Sequence, residues 1–273
     1  MTAAMSRPFQ YFGSKQRVAP KIHALIPRQT KNWVETHCGS AIVTLSKPHR
    51  HTCEVINDRW GEIPHFFQVL RSGRAEELLR SIELTPYAEH ELAQVYDAEP
   101  AEDPVERARM FLIRMWFGRG GDGHRTGFRW KKGGGDPSKQ WAELPHSLAL
   151  VKERLRRVTI RNAPALKVIQ DYDGPGTTFF VDPPYPGSVG RRYMEKMTRD
   201  EHSALADRLR ACQGNVILTM NPGTIYQERL FDWCRFDVPV QGQASAVKVE
   251  HILCNIDPEP VSKELFVDHG ATG

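Results

Sequence analysis

Long apolar runs are missing from this sequence. No stretch of about 18 apolar residues occurs, so no membrane-spanning helix is expected. Residues 1–15, MTAAMSRPFQYFGSK, have no apolar stretch of the secretory kind, and no signal peptide is expected. Cysteine is scarce: Cys38, Cys53, Cys212, Cys234 and Cys254 make five. An odd number, far apart and mostly in apolar settings, suits free buried thiols in a reducing cytoplasm better than a disulfide framework. No pair has CxxC spacing and the histidines do not cluster with the cysteines, so no metal site is expected. A strong charge imbalance is lacking too. The net charge of +4 permits a polyanionic partner without requiring one. At 273 residues the chain can bury one substantial core, or one core and a smaller insertion.

What is present centres on Thr177–Tyr185, TTFFVDPPY. An apolar run, Thr178 to Val181, reads as a strand, and the prolines stop it because they cannot continue a central ladder. Asp182 is therefore presented at the carboxyl end of a strand, where open α/β sheets bind ligands. Asp182, the Pro183 and Pro184 carbonyls and the Tyr185 ring together suit a planar group bearing an NH2. The bland alternative is a strand ending in a proline-rich turn.

Ahead of this stretch, Met1–Pro8 reads as a loose leader. Gly13 and Ser14 mark a turn, with Ser14 as the expected cap of a helix over Arg17–Leu25. Lys15 then falls in the first turn, against the helix dipole. It is either solvated or holding a carboxylate. A strand at Asn32–Thr36 runs into Glu35-Thr36-His37-Cys38-Gly39-Ser40-Ala41 and a helix at Ile42–Ser46. Strand, small-residue turn and helix bring backbone close to a nucleotide, although GxGxxG is incomplete. A second strand, Thr52–Ile56, ends at Asn57-Asp58. The spacing from Gly39 to Asp58 fits an acid that reaches ribose hydroxyls, and equally a turn aspartate.

The pattern then predicts one helix over Gly61–Arg80, a loop at Glu99–Pro104, a helix from Val105 and another from Pro145 to Arg157. Between the last two lies a glycine-rich segment carrying Arg119, Arg125, Arg129, Lys131 and Lys132 against the single acid Asp122. Glycine at that density implies mobility and no contribution to a core. The interleaved cations and aromatic rings suit phosphates, sugars and bases. A strand at Val158–Ile160 and a helix at Ala163–Tyr172 capped by Asn162 lead into the Asp182 strand. A basic loop with Arg191 and Arg192 follows, then a helix at Glu201–Cys212, a strand at Asn215–Met220, a helix at Ile225–Trp233, and strands at Phe236–Val240 and Lys248–Asn255.

Taken together, residues from Phe9 to Asn255 resemble the DNA adenine methyltransferase family that includes the bacterial GATC-type enzyme and its phage-borne relatives. The resemblance rests on Tyr11, Gly13 and Lys15 (Tyr-x-Gly-x-Lys), on the loop Glu35 to Ala41, on Asp58 and on Asp182-Pro183-Pro184-Tyr185. It implies an α/β, Rossmann-like S-adenosylmethionine-dependent methyltransferase fold, formed by residues 9–70 and 158–257. A mainly helical target-recognition insertion occupies residues 71–157. It implies catalytic roles for Asp182, Pro183 and Tyr185, and cofactor contacts from Tyr11, Lys15, Glu35, His37, Gly39, Ala41, Asp58 and Asp182. Arg119, Arg125, Arg129, Lys131, Lys132, Arg191 and Arg192 are then the expected contacts to double-stranded DNA. A bacterial or phage-encoded enzyme acting in the cytoplasm, in the setting of DNA methylation or restriction-modification, follows from the same likeness. A monomer is the default. Thr36 and His37 replace the family's Pro-Phe, and Ala41 replaces its second loop glycine; a methyl group there crowds the cofactor if the position needs positive φ. Three alternatives stand beside adenine methylation: a cytosine-N4 enzyme, a DNA-binding relative with weak or lost catalysis, and an RNA or protein methyltransferase.

Overall fold

The computed structural model of the chain describes residues 5–131, 135–187, 190–241 and 247–256, with backbone alone at 191, 240, 241, 247 and 248. In chain order the elements are α1 (Ala19–Ala24), β1 (Asn32–Glu35), α2 (Ile42–Ser46), β2 (Cys53–Asn57), α3 (Glu62–Arg71), α4 (Ala75–Leu84), α5 (Glu89–Asp97) and α6 (Pro104–Phe117). They continue with α7 (Pro137–Ala142), α8 (Leu144–Leu155), β3 (Val158–Arg161), α9 (Ala165–Tyr172), β4 (Thr177–Val181), α10 (Arg199–Arg210), β5 (Asn215–Met220), α11 (Ile225–Arg229), β6 (Cys234–Gln241) and β7 (Val247–Cys254).

The strands form a seven-stranded sheet in the order β3-β2-β1-β4-β5-β7-β6. The first five run parallel, and β7 lies antiparallel to both β5 and β6. Helices cover both faces, which is why the central strands are apolar without a polar side. Alternate residues feed opposite layers. Val34, Phe179, Val181, Val216 and Leu218 pack with Val168 of α9 and Leu205 and Leu209 of α10. Trp33, Phe180 and Ile217 pack with Ile22 of α1 and Ile42 and Val43 of α2. The result is a mixed α/β domain with a Rossmann-like central sheet. The chain leaves β1 toward one side and reaches β4 on the other, so the crevice between their carboxyl ends is the topological switch point.

Helices α3 to α8 all lie between β2 and β3 in sequence. Their buried residues, including Phe66, Leu78, Val95, Phe111 and Leu148, form one apolar cluster with Phe9, Cys38, Ala41 and Leu45. The helices thus share a core with the loop beyond β1.

Several local expectations are corrected. The single helix over Gly61–Arg80 is two, because Ser72 is extended (ψ 174) and its hydroxyl accepts the Arg74 N–H at 3.1 Å. That alternative bond, followed by Gly73, competes with continuation of the helix. Helix α5 was not anticipated. Asn162 does not cap α9, whose first residue follows Pro164; its amide donates to the Asp58 and Arg59 carbonyls and ties β3 to the end of β2. Ser14 does not cap α1, which begins at Ala19 behind a turn, and Lys15 lies before the helix.

Residues 5–8 are not loose either. Pro8 and Phe9 are buried, and the Pro8 carbonyl accepts the Trp116 indole N–H at 3.2 Å. The described part of the glycine-rich segment is pinned at three places. Gly118 pairs with Phe128, Arg119 N–H donates to Gly127 O at 3.1 Å, and Phe12 N–H donates to Gly121 O at 2.8 Å. Phe128 also packs on Tyr87 and Phe117, so the segment does reach the core.

Candidate active site

Strand β4 ends where the sequence places Pro183, and Asp182 emerges at the switch point beside the ends of β1 and β5. The Thr219 hydroxyl, from β5, donates to Asp182 Oδ1 at 2.7 Å. Lys15 Nζ lies 2.8 Å from Asp182 Oδ2 and 3.0 Å from Glu250 Oε1, with the Gly13 carbonyl accepting at 2.8 Å. The Tyr185 hydroxyl donates to the same Glu250 carboxylate, and Lys15 Nζ sits 5.1 Å from the Tyr185 ring centroid. One buried ammonium therefore holds two carboxylates. Burial works against its charge, yet Asp182 and Glu250 outweigh burial and raise the Lys15 pKa well above its ordinary value. Burial raises Asp182 from its ordinary value, with Lys15 opposing.

On one side of this network a cavity opens at the carboxyl ends of β1, β2 and β4. Tyr11, Lys15, Glu35, His37, Gly39, Asp58 and Asp182 line it, all expected from sequence as cofactor contacts. Asp58 accepts the Gly39 N–H at 2.8 Å and the Trp60 N–H at 3.0 Å, so it closes a turn and fixes the loop after β1. Burial, opposed by those two backbone bonds, raises its pKa to about 6. Gly39 has φ +46, and a Cβ there would stand 2.4 Å from Tyr11 Cε1. Only glycine lets the Tyr11 ring lie over this loop. Glu35 is buried and accepts the Thr44 N–H at 3.0 Å and the Thr44 hydroxyl, which anchors the first turn of α2; burial raises it to about 8. His37 shares a hydrogen with the Thr36 hydroxyl at 2.9 Å, and burial lowers its pKa to about 3, which keeps the ring neutral.

Ala41 is the exception among the expected contacts. It has φ 53, a left-handed value that favours glycine, but it is fully buried in the apolar cluster and does not line the cavity. The crowding of a cofactor by its methyl group is therefore not supported.

On the other side of Lys15 lies a wider, open cleft lined by Tyr185, Tyr193, Glu250, Arg7, Arg17, Arg129 and Arg192. Tyr11, Gly13, Ser14, Lys15 and Tyr193 border both spaces. Of the basic residues expected to hold DNA, Arg129 and Arg192 face this cleft. Arg192 pairs with Asp122 at 3.1 Å and stacks 3.8 Å from the Phe12 ring centroid. Arg119, Arg125 and Lys131 do not line it. Arg119 Nε donates to the Phe128 carbonyl at 3.1 Å, Arg125 pairs with Asp97 at 2.7 Å, and Lys131 is exposed. Lys132 and the side chain of Arg191 lie outside the described residues.

Sequence reasoning missed Glu250, Thr219, Arg7, Arg17 and Asn57. The Asn57 amide donates to the Thr36 and Ala163 carbonyls at 2.8 and 3.0 Å and locks the ends of three strands. An asparagine ending a strand immediately before Asp58 was the visible signal for it. Among the described residues no group of three or more His, Cys, Asp or Glu could hold a metal ion, and no helix is long and apolar enough to cross a membrane. The five cysteines are free thiols.

The fold and site thus define an α/β domain whose switch-point cavity abuts a second, open cleft across a buried lysine and carboxylate. Residues 11–103 match the family model of the D12 class N6 adenine-specific DNA methyltransferases. That span carries Tyr11, Lys15, Glu35 and Asp58 and ends before Asp182. No curated protein sequence matches the chain.

Proposed function

We propose that this chain transfers a methyl group from S-adenosylmethionine to the N6 amine of an adenine turned out of double-stranded DNA. One observation carries the reading: Asp182, tied to Lys15 and Thr219, lines the switch-point cavity, and its partner Lys15 borders both that cavity and the open basic cleft. The family match over residues 11–103 supports it from the cofactor side.

The cavity residues fit the cofactor. Gly39 lets the Tyr11 ring close over the loop at the cavity wall, and Asp58, turned toward that loop, has the acceptor capacity a ribose diol needs. Tyr11, Glu35, His37, Gly39, Asp58 and Lys15 would hold it. When bound, S-adenosylmethionine supplies an electrophilic methyl group on a sulfonium.

The rest falls to the chain. The adenine amine is a weak nucleophile because its lone pair is delocalised into the ring. The Asp182 carboxylate and the Pro183 carbonyl accept its two hydrogens, favour pyramidal nitrogen and offset the positive charge that develops there. Asp182 need not be a strong base, since the methylated nitrogen is acidic. Lys15 keeps Asp182 oriented and ionised against burial. Tyr185, fixed by Glu250, offers the base a flat surface at the floor of the cleft. An adenine stacked in a duplex cannot reach Asp182, so the target is extruded. In this scheme residues 9–70 and 158–257 carry the transfer chemistry, and residues 71–157 carry target recognition.

Calorimetric titration tests the binding half of this reading. S-adenosylmethionine is expected to bind the wild type, and Asp58→Ala is expected to weaken it at least tenfold. A folded protein that binds duplex DNA and not S-adenosylmethionine would point instead to a non-catalytic DNA-binding relative.

A further inference from the structure

The open cleft carries a charge feature that the amine chemistry does not use. Arg7, Arg17 and Arg129 line its outer wall, and Glu250 is the one acid among its described lining residues. Glu250 is already committed to Lys15 and Tyr185. The guanidinium partners of Arg7 and Arg129 are neutral amides. Arg7 donates to Gln10 Oε1, and Arg129 Nη2 donates to Gln140 Oε1 at 3.3 Å. The Arg129 Nε is buried and has no hydrogen-bond partner.

Arg7 and Arg129 are built into place. The Trp116 indole N–H holds the Pro8 carbonyl at 3.2 Å, and the Trp116 ring lies 5.3 Å from the Arg129 guanidinium, so one side chain positions both. Gln10 is pressed against Gly121, where a Cβ would meet the Gln10 carbonyl carbon at 2.9 Å. Burial first, then the charges of Arg129 and Arg17, hold the Arg7 guanidinium below its ordinary pKa. The amide partners of Arg7 and Arg129 are uncharged, so an anion beside them gains from both guanidinium groups.

We propose that Arg7 and Arg129 form a binding site for a phosphodiester group of the nucleic acid that enters the cleft. The planar forks of guanidinium groups match phosphate oxygens, and a phosphate accepts from several of them at once. The site sits beside the cleft that also holds Tyr185, so it would grip the backbone flanking the extruded base. The identification of the ligand as DNA rests on the function proposed above.

The test measures binding of a short fluorescent duplex across a salt series for the wild type, Arg7→Gln, Arg129→Gln and Arg7→Lys, with melting curves to establish folding. Each glutamine variant is expected to weaken binding about tenfold regardless of duplex sequence, and to flatten the slope of log K against log salt by about one. Arg7→Lys is expected to keep the slope. Should Arg129→Gln not fold, Arg7→Gln against Arg7→Lys carries the comparison. Wild-type binding with an unchanged slope in the glutamine variants would overturn the site. A parallel titration with inorganic phosphate reads Trp116 fluorescence. Phosphate binding that Arg7→Gln abolishes, with no duplex binding by the wild type, would keep the anion site and sink the DNA reading. Binding of neither would overturn the anion site itself.

Discussion

Replacing Lys15 with methionine removes the charge that two buried carboxylates share. The Lys15 side chain is 4% exposed, Asp182 15% and Glu250 12%, so water cannot take over its role. Breaking a buried pair by deleting one partner costs about 3–5 kcal/mol, because the other charge is left desolvated and unpaired. For a domain of this size that corresponds to a fall in melting temperature of about 6–20 °C. The loss should depend on pH. Lys15 is held well above its ordinary pKa, so its ammonium stays charged across the neutral range, and its contribution disappears only as alkaline pH passes that raised value. In the variant, Asp182 faces the Glu250 carboxylate without a cation, and its folded pKa, already raised by burial, rises further above the unfolded value of roughly 3.9. The penalty is then absent below that unfolded value and grows as pH rises toward the folded one. The phenols of Tyr185 and Tyr193, raised by burial, stay neutral and do not offset it. Thermal melts should therefore show a larger deficit near pH 8 than near pH 5, with methyl transfer reduced about a hundredfold at neutral pH as Asp182 loses its orientation. An equal deficit at both pH values, or none, would refute the shared-charge account.

Away from the site, Glu54 sits buried between Lys47 and Arg154, with Arg154 Nη1 at 2.6 Å. Burial pushes the Glu54 pKa up, but His51, Arg154 and Lys47 together outweigh it and hold the carboxyl well below the usual carboxylate range. Its stabilisation is therefore present above the unfolded pKa of roughly 4.3 and lost as pH falls. Glu54→Gln should cost about 3–5 kcal/mol in a denaturant melt at neutral pH while leaving S-adenosylmethionine affinity unchanged. Gly39→Ala should destabilise the fold by at least ~2 kcal/mol, from left-handed strain and the Tyr11 clash, and should weaken S-adenosylmethionine binding in calorimetry. Ala41→Gly relieves ~1–2 kcal/mol of left-handed strain but loses a buried methyl worth ~0.8 kcal/mol and adds ~0.5–1 kcal/mol of backbone entropy. Its melting temperature should move by less than about 3 °C, and its transfer rate should not rise.

Local chemistry made the sheet and half of the site legible. Phe179, Phe180 and Val181 form an apolar strand that two prolines end, so the place of Asp182 follows from adjacent residues alone. The same holds for Glu35 at the end of β1 and Asp58 just beyond β2, whose spacing reflects one strand-turn-helix-strand unit. Glu250 was invisible because its role depends on register. Strand β7 pairs antiparallel with β5, His251 opposite Met220, and that distant pairing is what delivers Glu250 to Lys15. Arg7 was hidden in a segment that looked like a tail, and only the Trp116 hydrogen bond to Pro8 reveals that it is fixed. The glycine-rich segment misled for a related reason. Composition suggested mobility, whereas Phe128 finds Tyr87 and Phe117 only after α5 and α6 have packed.

The central claim is that Asp182, beside the Lys15 that borders both spaces, receives an exocyclic amine of a base. The most direct measurement is transfer of labelled methyl from S-adenosylmethionine to unmethylated duplex DNA, followed by identification of the modified nucleoside, with Asp182→Asn as control. The account predicts N6-methyladenine from the wild type and none from the variant, with the variant still folded. N4-methylcytosine would contradict the base assignment. Absence of transfer by a wild type that binds both S-adenosylmethionine and duplex DNA, or equal transfer by Asp182→Asn, would contradict the account itself.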